Sequence, residues 1–535
     1  MSDRKAPGAG DSPAPRPEMA ALVESLAADR AATLDAARPA AVAKQKTRAQ
    51  MTARERIAHL TDAGSFREFG QLAREADAAA GERPADGIVT GSARIDGRPA
   101  VVLAQDFMTM GGSSGELGGK KLHHAVRRSI REGAPLVMLL DGGGHRIQIG
   151  QSSRRYAPST TTFQEFARLS GWAPMAAAML GAGFAAPTNF AGLADFISMV
   201  RGQSTMGLAG PALVKAGTGE DIDKFELGGA QAQVDRNGIA DLGTEDEASA
   251  LDSLKRFLSY LPSNARAPLP TRPAPAEDPA RAEALAHIVP ANTRKAYDVR
   301  KVVDLAMDEG SVFELKPTYA KNAVTAFARL AGRPVGVIAN QALSLGGMLT
   351  GPACDKVAHF VALCDAYGLP LIYFIDVPGF SIGSPAEKGQ LGRRSAKLIY
   401  ELGHATVPRV SVVLRKGYGL GYVAMAGGRS FEADASLAWP TAEICAMSIE
   451  GAVNVVNARR FAQMREAGED PAPLYAELVA QMRAEVTPFG GAESFGLDDV
   501  IDPRETRPRL IEALERAPAR RDLAMPPKIR SICPI

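Results

Sequence analysis

The sequence predicts an α/β fold that is built from two copies of one unit. Short, continuously apolar segments alternate with helical segments in both halves of the chain, and the segment 135–140 ends at Asp141 and a glycine turn. Strands that are apolar on both faces and lead into helices are typical of sheets covered by helices. A pattern of glycines and prolines recurs along the chain, and a proline-rich segment separates the two copies. Together these three observations predict a duplicated α/β fold.

The repeat keeps one constant offset over much of its length. At this offset the matching positions are Gly97-Arg98-Pro99 with Gly332-Arg333-Pro334, Gly111-Gly112 with Gly346-Gly347, and Gly133, Pro135, Asp141 and Gly144 with Gly368, Pro370, Asp376 and Gly379. Further along, where the offset is shorter by a single position, Leu180, Gly183 and Phe184 match Leu414, Gly417 and Tyr418. Chance would not keep one register across so many glycine and proline positions, so we interpret the two halves as a gene duplication.

The duplication and the proline density divide the chain into four segments. Residues 1–43 are predicted to be a disordered or helical tail, in which an alanine-rich helix covers residues 19–38. Thr52 and Glu55 have the spacing of a capping box for a second helix that ends at Leu60. The first unit is expected at 44–262, a proline-rich linker at 263–285 and the second unit at 286–535.

Composition excludes several classes of protein. The chain has 535 residues, of which 46% are hydrophobic and 23% charged, and its formal net charge is +2. This balance does not indicate disorder or an electrostatic grip on nucleic acid. No apolar run approaches the roughly 18 residues of a membrane span, and the N-terminus does not resemble a signal peptide, so we expect a cytoplasmic protein without membrane contact.

The cysteines and histidines show no pattern of a metal site. The 4 cysteines include no CxxC pair, and the 7 histidines include no HExxH motif or clustered spacing. The sequence therefore predicts neither a disulfide scaffold nor a bound metal.

Three short motifs match known patterns but lack the context that those patterns need. Residues 111–115 fit GxSxG, the nucleophile turn of α/β-hydrolases, which directly follows a strand. Here the predicted strand ends several residues earlier, and the second copy has no serine at this position. Residues 181–186 fit GxGxxA without the acidic residue that a dinucleotide site requires. Lys120 follows two glycines but is followed by Lys121 rather than Ser or Thr, unlike a phosphate-binding loop.

Two equivalent turns between a strand and a helix are more informative. They are Gly183-Phe184-Ala185-Ala186 and Gly417-Tyr418-Gly419-Leu420-Gly421. Free N–H groups at the start of a helix can converge on one oxygen, which would make each turn an oxyanion hole. The alternative is that small residues only permit tight packing of helix against strand. The presence of two copies favours oxyanion holes, and His145 in the glycine turn after Asp141 is a further candidate for ligand contact.

The chain resembles the carboxyltransferase β subunits of biotin-dependent acyl-CoA carboxylases of the propionyl-CoA and acetyl-CoA type. The resemblance covers about residues 50 to 535 and rests on these segments: MTARERIAHLTDAGSF at 51–66, VLAQDFMTMGGSSGE at 102–116, DGGGHRIQIG at 141–150, TGEDIDKFELGGAQ at 218–231, FIDVPGF at 374–380, ATVPRVSVVLRKGYGLGY at 405–422, LAWPTAEI at 437–444 and PPKIRSICPI at 526–535.

The resemblance implies two crotonase-type domains, each a β-β-α superhelix, in a homohexamer made of two stacked trimers. The first unit would hold the acyl-CoA and the second would hold carboxybiotin, with the active site between the first unit of one subunit and the second unit of another. The carboxyl group would move to the α-carbon of the acyl-CoA. Because the chain contains no Met-Lys-Met biotinylation site, the biotin carrier and the biotin carboxylase are expected on a separate subunit.

The resemblance also assigns roles to individual residues. The N–H groups of Ala185 and Ala186 would form the first oxyanion hole, and those of Leu420 and Gly421 the second. Substrate contact is implied for Gly111, Gly112, Ser113, Gly143, Gly144, His145, Arg146, Gly183, Phe184, Tyr418, Gly419 and Val423.

Several residues depart from the pattern of the family. Around the first site, Gly142 stands where the family has Ser, His145 where it has Ala and Ile149 where it has Glu; Ala185-Ala186 replaces Gly-Gly before Pro187. Around the second site, Leu420-Gly421 replaces Gly-Ala and Ser381-Ile382 replaces Leu-Pro. Val423 stands where propionyl-preferring members often carry an acid, which favours a different or longer acyl group.

Two alternatives to carboxyl transfer stay open at this point. One is an acyl-CoA decarboxylase on the same fold, with His145 as the proton donor. The other is a catalytically silent subunit that scaffolds a related carboxyltransferase, because the glycines of both predicted holes are altered.

Overall fold

The computed structural model describes residues 17–75, 82–146, 151, 153–156 and 162–520. The predictions for the part of the tail before Pro17, for Ile149 and for the C-terminal PPKIRSICPI segment lie outside these ranges.

The first unit is built on a sheet of seven strands. Its order is β1-β2-β3-β4-β5-β7-β9, and β6 pairs separately with β8. The first three strands are antiparallel and the others are parallel. The strands are β1 (Arg67–Phe69), β2 (Ile88–Ile95), β3 (Arg98–Gln105), β4 (Leu136–Leu140), β5 (Met175–Met179), β6 (Ala182–Phe184), β7 (Phe196–Val200), β8 (Thr205–Gly207) and β9 (Leu242–Thr244).

The second unit repeats this topology. Its order is β10-β11-β12-β13-β14-β15-β17, again with three antiparallel strands followed by parallel ones, and β16 pairs with the end of β14. The strands are β10 (Phe313–Leu315), β11 (Ala323–Leu330), β12 (Arg333–Asn340), β13 (Leu371–Val377), β14 (Arg409–Tyr418), β15 (Ala435–Ala438), β16 (Glu443–Cys445) and β17 (Asp499–Val500). The predicted α/β class with two duplicated units is confirmed.

Helices cover the sheets and fill the connections. In the first half and the connection to the second they are α1 (Pro17–Ala32), α2 (Pro39–Lys46), α3 (Ala53–Leu60), α4 (Glu116–Glu132), α5 (Ser153–Tyr156), α6 (Thr162–Leu169), α7 (Ala186–Gly192), α8 (Pro211–Thr218), α9 (Lys224–Gly228), α10 (Glu247–Tyr260) and α11 (Pro279–Ile288). In the second half they are α12 (Val299–Ala306), α13 (Gly351–Tyr367), α14 (Ser384–Lys388), α15 (Leu391–His404), α16 (Gly419–Ala424), α17 (Ile449–Val456), α18 (Ala458–Glu466), α19 (Ala472–Glu485), α20 (Pro488–Glu493) and α21 (Thr506–Arg516). None of the helices in the described ranges combines the length and the apolar character that a membrane crossing requires.

Local sequence signals set the ends of several helices. Thr52 and Glu55 form the predicted capping box at the start of α3. The long helices α4 and α13 both end at a glycine in the left-handed conformation, Gly133 (φ 58°) and Gly368 (φ 78°), which the repeat aligns. Helix α11 begins at Pro279, inside the segment predicted as an irregular linker. Proline is tolerated there because the first residue of a helix needs no N–H donor.

One hydrophobic core cluster spans the two units, and each unit has a further cluster of its own. Stacked and tilted aromatic rings join them: Phe196 and Phe257 of the first unit contact Phe313 and Phe327 of the second. The hydroxyl of Tyr367 on α13 also donates to the carboxylate of the buried Asp195, at 2.8 Å. These contacts fix the two sheets relative to each other.

Candidate active site

A glycine loop follows the buried strand β4 and lies against Ser114. The Ser114 N–H donates to the carbonyl oxygen of Gly144 at 3.0 Å, and the Arg146 N–H donates to that of Ser114 at 2.8 Å. The N–H of Gly144 itself donates to no acceptor in the part of the chain that the structure describes. We call this loop, residues 142–146, the first cradle.

The second unit contains the same arrangement after β13. The Leu349 N–H donates to the carbonyl oxygen of Gly379 at 3.0 Å, and the Ser381 N–H donates to that of Leu349 at 2.9 Å. Gly379 has φ 127°, and its N–H, like that of Gly144, has no acceptor among the described residues. We call residues 377–381 the second cradle, and it matches the first at the constant offset of the repeat.

A helix begins beside each cradle. A Cβ built on Gly144 would lie 3.4 Å from the N atom of Ala186, the first residue of α7. In the second unit a Cβ built on Gly421, in the first turn of α16, would lie 2.8 Å from the Cα of Gly379. Each cradle therefore brings an unbonded N–H close to the first turn of a helix, whose N–H groups have no acceptor within the helix.

The predicted pair Ala185 and Ala186 does not act as a pair. Strand β6 runs parallel to β8, and this pairing draws the Ala185 N–H to the carbonyl oxygen of Gly207 at 2.8 Å. Ala185 has φ 71° and ψ −132°, which is a strained conformation for an alanine. The prediction for Ala185 as a donor is therefore wrong, and Gly144 provides the donor that lies beside Ala186.

In the second unit the corresponding turn belongs to Gly419, Leu420 and Gly421. Gly419 has φ 58° and matches Ala185 in position and in the sign of φ. Leu420 and Gly421 lie in the first turn of α16, where their N–H groups have no acceptor within the helix, and their role as donors stays a prediction. The Leu420 side chain is 54% exposed and projects from the start of the helix.

A buried carboxylate anchors each cradle. Asp141 forms an ion pair with Arg56 at 2.8 Å, and Asp376 accepts from Arg415 at 2.9 Å. Burial raises the pKa of Asp141 although Arg56 lies beside it. A Cβ on Gly181 would lie 2.0 Å from Oδ1 of Asp141, so only glycine fits at that position. Asp141 and Asp376 therefore hold the loops and do not face the open site.

Two amide side chains complete the support. The Gln105 amide donates to the carbonyl oxygen of Gly112 at 3.1 Å and accepts from the Asp141 N–H at 3.1 Å. Asn340 does the same in the second unit, with Gly347 and with the N–H of Asp376. The second copy thus reproduces the first even in side chains that contact only backbone.

The remaining predicted substrate contacts differ in their availability. Arg146 is only 4% exposed in its side chain and is held by Asp86 at 3.0 Å and Glu75 at 3.1 Å, so its guanidinium supports the loop, and its contact with substrate stays a prediction. The Ser113 hydroxyl donates to the carbonyl oxygen of Met110. Four further predicted residues line the first cradle or the turn that contacts it, namely Gly111, Gly112, Gly143 and His145.

Aromatic residues occupy the positions before the two helices. Gly183 is buried, and the ring of Phe184 packs where Gly207 and Gly228 leave room for it. The Tyr418 hydroxyl donates to Glu443, and burial raises its pKa. Val423 is half-buried on α16.

Sequence reasoning missed a matched pair of buried lysines behind the cradles. Lys121 donates to the carbonyl oxygens of Ala85 and Ile88, and Lys356 donates to three carbonyl oxygens. Burial lowers the pKa of Lys121 to about 8 and that of Lys356 to about 7. The signal that could have found them is that the repeat aligns one lysine with the other.

The described residues contain no group of three or more His, Cys, Asp or Glu side chains that could hold a metal ion. What the site offers is a set of backbone donors on two loops with the same hydrogen-bond pattern. Such donors stabilise negative charge that develops on an oxygen.

Comparison with known proteins identifies the family. The family model for the carboxyl transferase domain matches residues 44–532. The chain belongs to the carboxyl transferase family. The chain is 39% identical over 486 residues to the propionyl-CoA carboxylase carboxyltransferase subunit of Haloferax mediterranei, covering 90% of this chain and 93% of that protein.

Two further carboxyl transferase relatives bear on the activity. The methylmalonyl-CoA decarboxylase subunit alpha of Veillonella parvula is 37% identical over 492 residues, which cover 91% of this chain and 94% of that protein. A solved structure of transcarboxylase 12S, described as a hexamer with methylmalonyl-CoA and methylmalonic acid bound, superposes with a TM-score of 0.87 at 36% identity and covers 96% of this chain and 98% of that one. The predictions of an enzyme, of the crotonase-type fold and of a biotin-dependent carboxyltransferase acting on acyl-CoA are confirmed at the level of the family.

Proposed function

We propose that this chain is the carboxyltransferase subunit of a biotin-dependent acyl-CoA carboxylase, in which each cradle is an oxyanion hole. The observation that carries the proposal is the duplication of one donor geometry: a glycine N–H without an acceptor in the described chain beside the first turn of a helix, at Gly144 with Ala186 and at Gly379 with Gly421. The reaction creates negative charge on two different oxygens, so two holes match its requirement.

On the acyl-CoA side, the N–H groups of Gly144 and Ala186 would hold the thioester oxygen. When the α-proton leaves, that oxygen becomes an enolate, and donors already in position stabilise it without reorganisation. Loss of one such donor typically raises the barrier by about 3 kcal/mol. Both donors are backbone groups, so the alanine at 186 can serve as well as a glycine.

On the other side, the N–H groups of Gly379, Leu420 and Gly421 fit the ureido oxygen of biotin, which accepts hydrogen bonds. Carboxybiotin would supply the carboxyl group there. A Cβ on Gly421 would collide with Gly379. Because both residues are glycines, the backbone N–H groups of the second cradle stay accessible to the ureido oxygen.

The partners follow from the family. The Haloferax relative is a carboxyltransferase subunit of a carboxylase, and the transcarboxylase structure is a hexamer. We infer a homohexamer of two stacked trimers that binds a separate subunit with biotin carboxylase and biotin carrier functions in the cytoplasm. The segments 44–262 and 286–535 would be its acyl-CoA and carboxybiotin sides, joined by the linker 263–285.

The test is carboxyl transfer by the full chain with a biotin-bearing partner subunit and a panel of acyl-CoA esters. Gly144→Ala places a methyl group 3.2 Å from the Cβ of Ala185 and 3.4 Å from the N atom of Ala186, inside the hole. We expect kcat to fall by about 10²-fold. Gly119→Ala is the matched control, because Gly119 lies in α4 outside the cradle and nothing lies within 4 Å of its added Cβ. Equal activity of the two variants would contradict the acyl-side hole.

A second candidate function is decarboxylation, since the Veillonella relative is a subunit of methylmalonyl-CoA decarboxylase. The wild-type chain would then release CO2 from a malonyl-type CoA ester without a biotin partner, with His145 beside Gly144 as the proton donor. Under this hypothesis His145→Gln abolishes release, whereas under carboxyl transfer the isolated chain releases none and His145→Gln keeps most of the transfer activity. Measuring labelled CO2 with and without the partner separates the two.

A further inference from the structure

A cavity lies outside both cradles, beside α4. Its volume is about 630 Å³, and it lies between α4 and α6. Pockets of 300–1,000 Å³ are typical of small-molecule sites. The cavity is therefore large enough for a ligand of nucleotide size.

Its lining is strongly basic. Lys120, Arg127, Arg128, Arg131 and Arg168 contribute cationic groups, and Glu165 is the one acid among the lining residues that the structure describes. His123 and His124 also line it. A concave surface with one sign of charge concentrates ions of the opposite sign.

Some of these cations already have partners that hold them in place. Arg128 pairs with Glu132 at 2.6 Å and its guanidinium lies 5.1 Å from the centre of the Phe69 ring. Arg168 pairs with Glu165 at 3.3 Å. These contacts fix the walls of the cavity.

Arg127 and Arg131 differ, because neither forms an ion pair or hydrogen bond within the described ranges of the chain. They are four residues apart on one helix, and like charges at this spacing repel each other. An anion bound between them would remove this repulsion. Guanidinium groups bind phosphate through two parallel hydrogen bonds, so phosphate is the anion that this pair suits best.

We propose that the cavity between α4 and α6 binds a small molecule that carries phosphate groups, with Arg127 and Arg131 as its main contacts. The concave shape favours a compact ligand over a nucleic-acid backbone, which would need an extended basic surface. The phosphate has two plausible sources: the nucleotide end of CoA, or a free adenine nucleotide. Neither cradle includes this site; with CoA as the ligand the inference rests on the proposed function, and with a free nucleotide it goes beyond it.

The experiment is calorimetric titration of the purified full-length protein with four probes: ATP, adenosine 3′,5′-diphosphate, CoA and inorganic phosphate. We expect at least one probe to bind with a stoichiometry of one per chain and to bind more weakly as salt is raised. The double substitution Arg127→Gln and Arg131→Gln should weaken that binding by about tenfold or more. Arg459→Gln with Arg460→Gln, on the exposed face of α18, is the control and should leave it unchanged.

Kinetics then identify the source of the phosphate. If the ligand is the nucleotide end of CoA, the KM for acyl-CoA rises in the double variant while kcat stays the same. If it is a free nucleotide, the KM is unchanged and only ATP or ADP binding is lost. The proposal is overturned if no probe binds, or if binding is equal in the double variant and in the wild type.

The variant is expected to melt at the same temperature or higher, because the substitutions remove a repulsion between like charges. Unaltered kcat for carboxyl transfer in the same preparation would show that the proposed function does not depend on this site.

Discussion

The two cradles share one pattern of backbone hydrogen bonds and have different immediate surroundings. In the first, Asp141 is held by Arg56, which comes from a helix before the sheet and also contacts Glu247. In the second, Asp376 is held by Arg415 from the neighbouring strand. The first turn begins after the separate strand β6, whereas the second continues directly from β14. Different side chains can therefore hold the same backbone donors in place. Substitutions near these donors need not remove the stabilisation of negative charge on an oxygen.

The largest expected effect tests whether the two cradles have separate tasks. Gly421→Ala would place a Cβ 2.8 Å from the Cα of Gly379 and displace the second cradle. We expect the loss of CO2 from a carboxylated biotin carrier, measured without acyl-CoA, to slow by about 10²-fold, because that step depends on the second hole. Gly144→Ala should leave this step unchanged and slow only the reaction with acyl-CoA.

Gly392→Ala is the control for the second unit, since nothing lies within 4 Å of its added Cβ. If Gly144→Ala and not Gly421→Ala slows the acyl-CoA-independent step, the two sides are assigned the wrong way round.

The next effect concerns the two buried lysines. Lys356→Met removes a charged donor from three carbonyl oxygens and Lys121→Met removes one from two. We expect the free energy of unfolding to fall by about 3 and about 2 kcal/mol, respectively. Urea denaturation measures both, and Lys120→Met, at an exposed position of α4, should change it by less than about 0.5 kcal/mol.

The same lysines give a pH dependence with a defined sign. Burial lowers the pKa of Lys356 to about 7, whereas an unfolded lysine has a pKa of about 10.4. Between these values the unfolded chain binds more protons, so this residue makes the free energy of unfolding rise with pH, by up to about 1.4 kcal/mol per pH unit. The stability difference between wild type and Lys356→Met should therefore grow from pH 7 to pH 9. A constant difference would mean that the three carbonyl oxygens keep the lysine charged.

The smallest effect concerns the positive φ angles before the two helices. Ala185→Gly should raise the free energy of unfolding by about 1 kcal/mol, because glycine adopts φ 71° without strain. Gly419→Ala should lower it by about 2 kcal/mol, since its Cβ would also lie 2.7 Å from the carbonyl oxygen of Ala446. Thermal melts compare them, and a neutral Ala185→Gly would show that the strain at Ala185 is relieved by its surroundings.

Much of the fold could be predicted from the sequence, because the repeated glycines and prolines mark turns that both sheets need. The helices α4 and α13 end at the glycines that the repeat aligns. The sequence could not show that the Ala185 N–H is taken by Gly207, since this depends on the pairing of β6 with β8. Nor could it show that Asp86 and Glu75, which lie much earlier in the chain, bind the guanidinium of Arg146. Contacts between residues that are distant in sequence decide which polar groups stay available.

The aromatic contacts between the two units affect how the duplicated chain unfolds and how it can evolve. Because rings of both units contact one another in a core cluster that spans them, we expect the two halves to unfold together. Cleaving the proline-rich connection would leave the halves associated. If the two units have thus become a single folding unit, one unit of a chain can no longer be exchanged without the other.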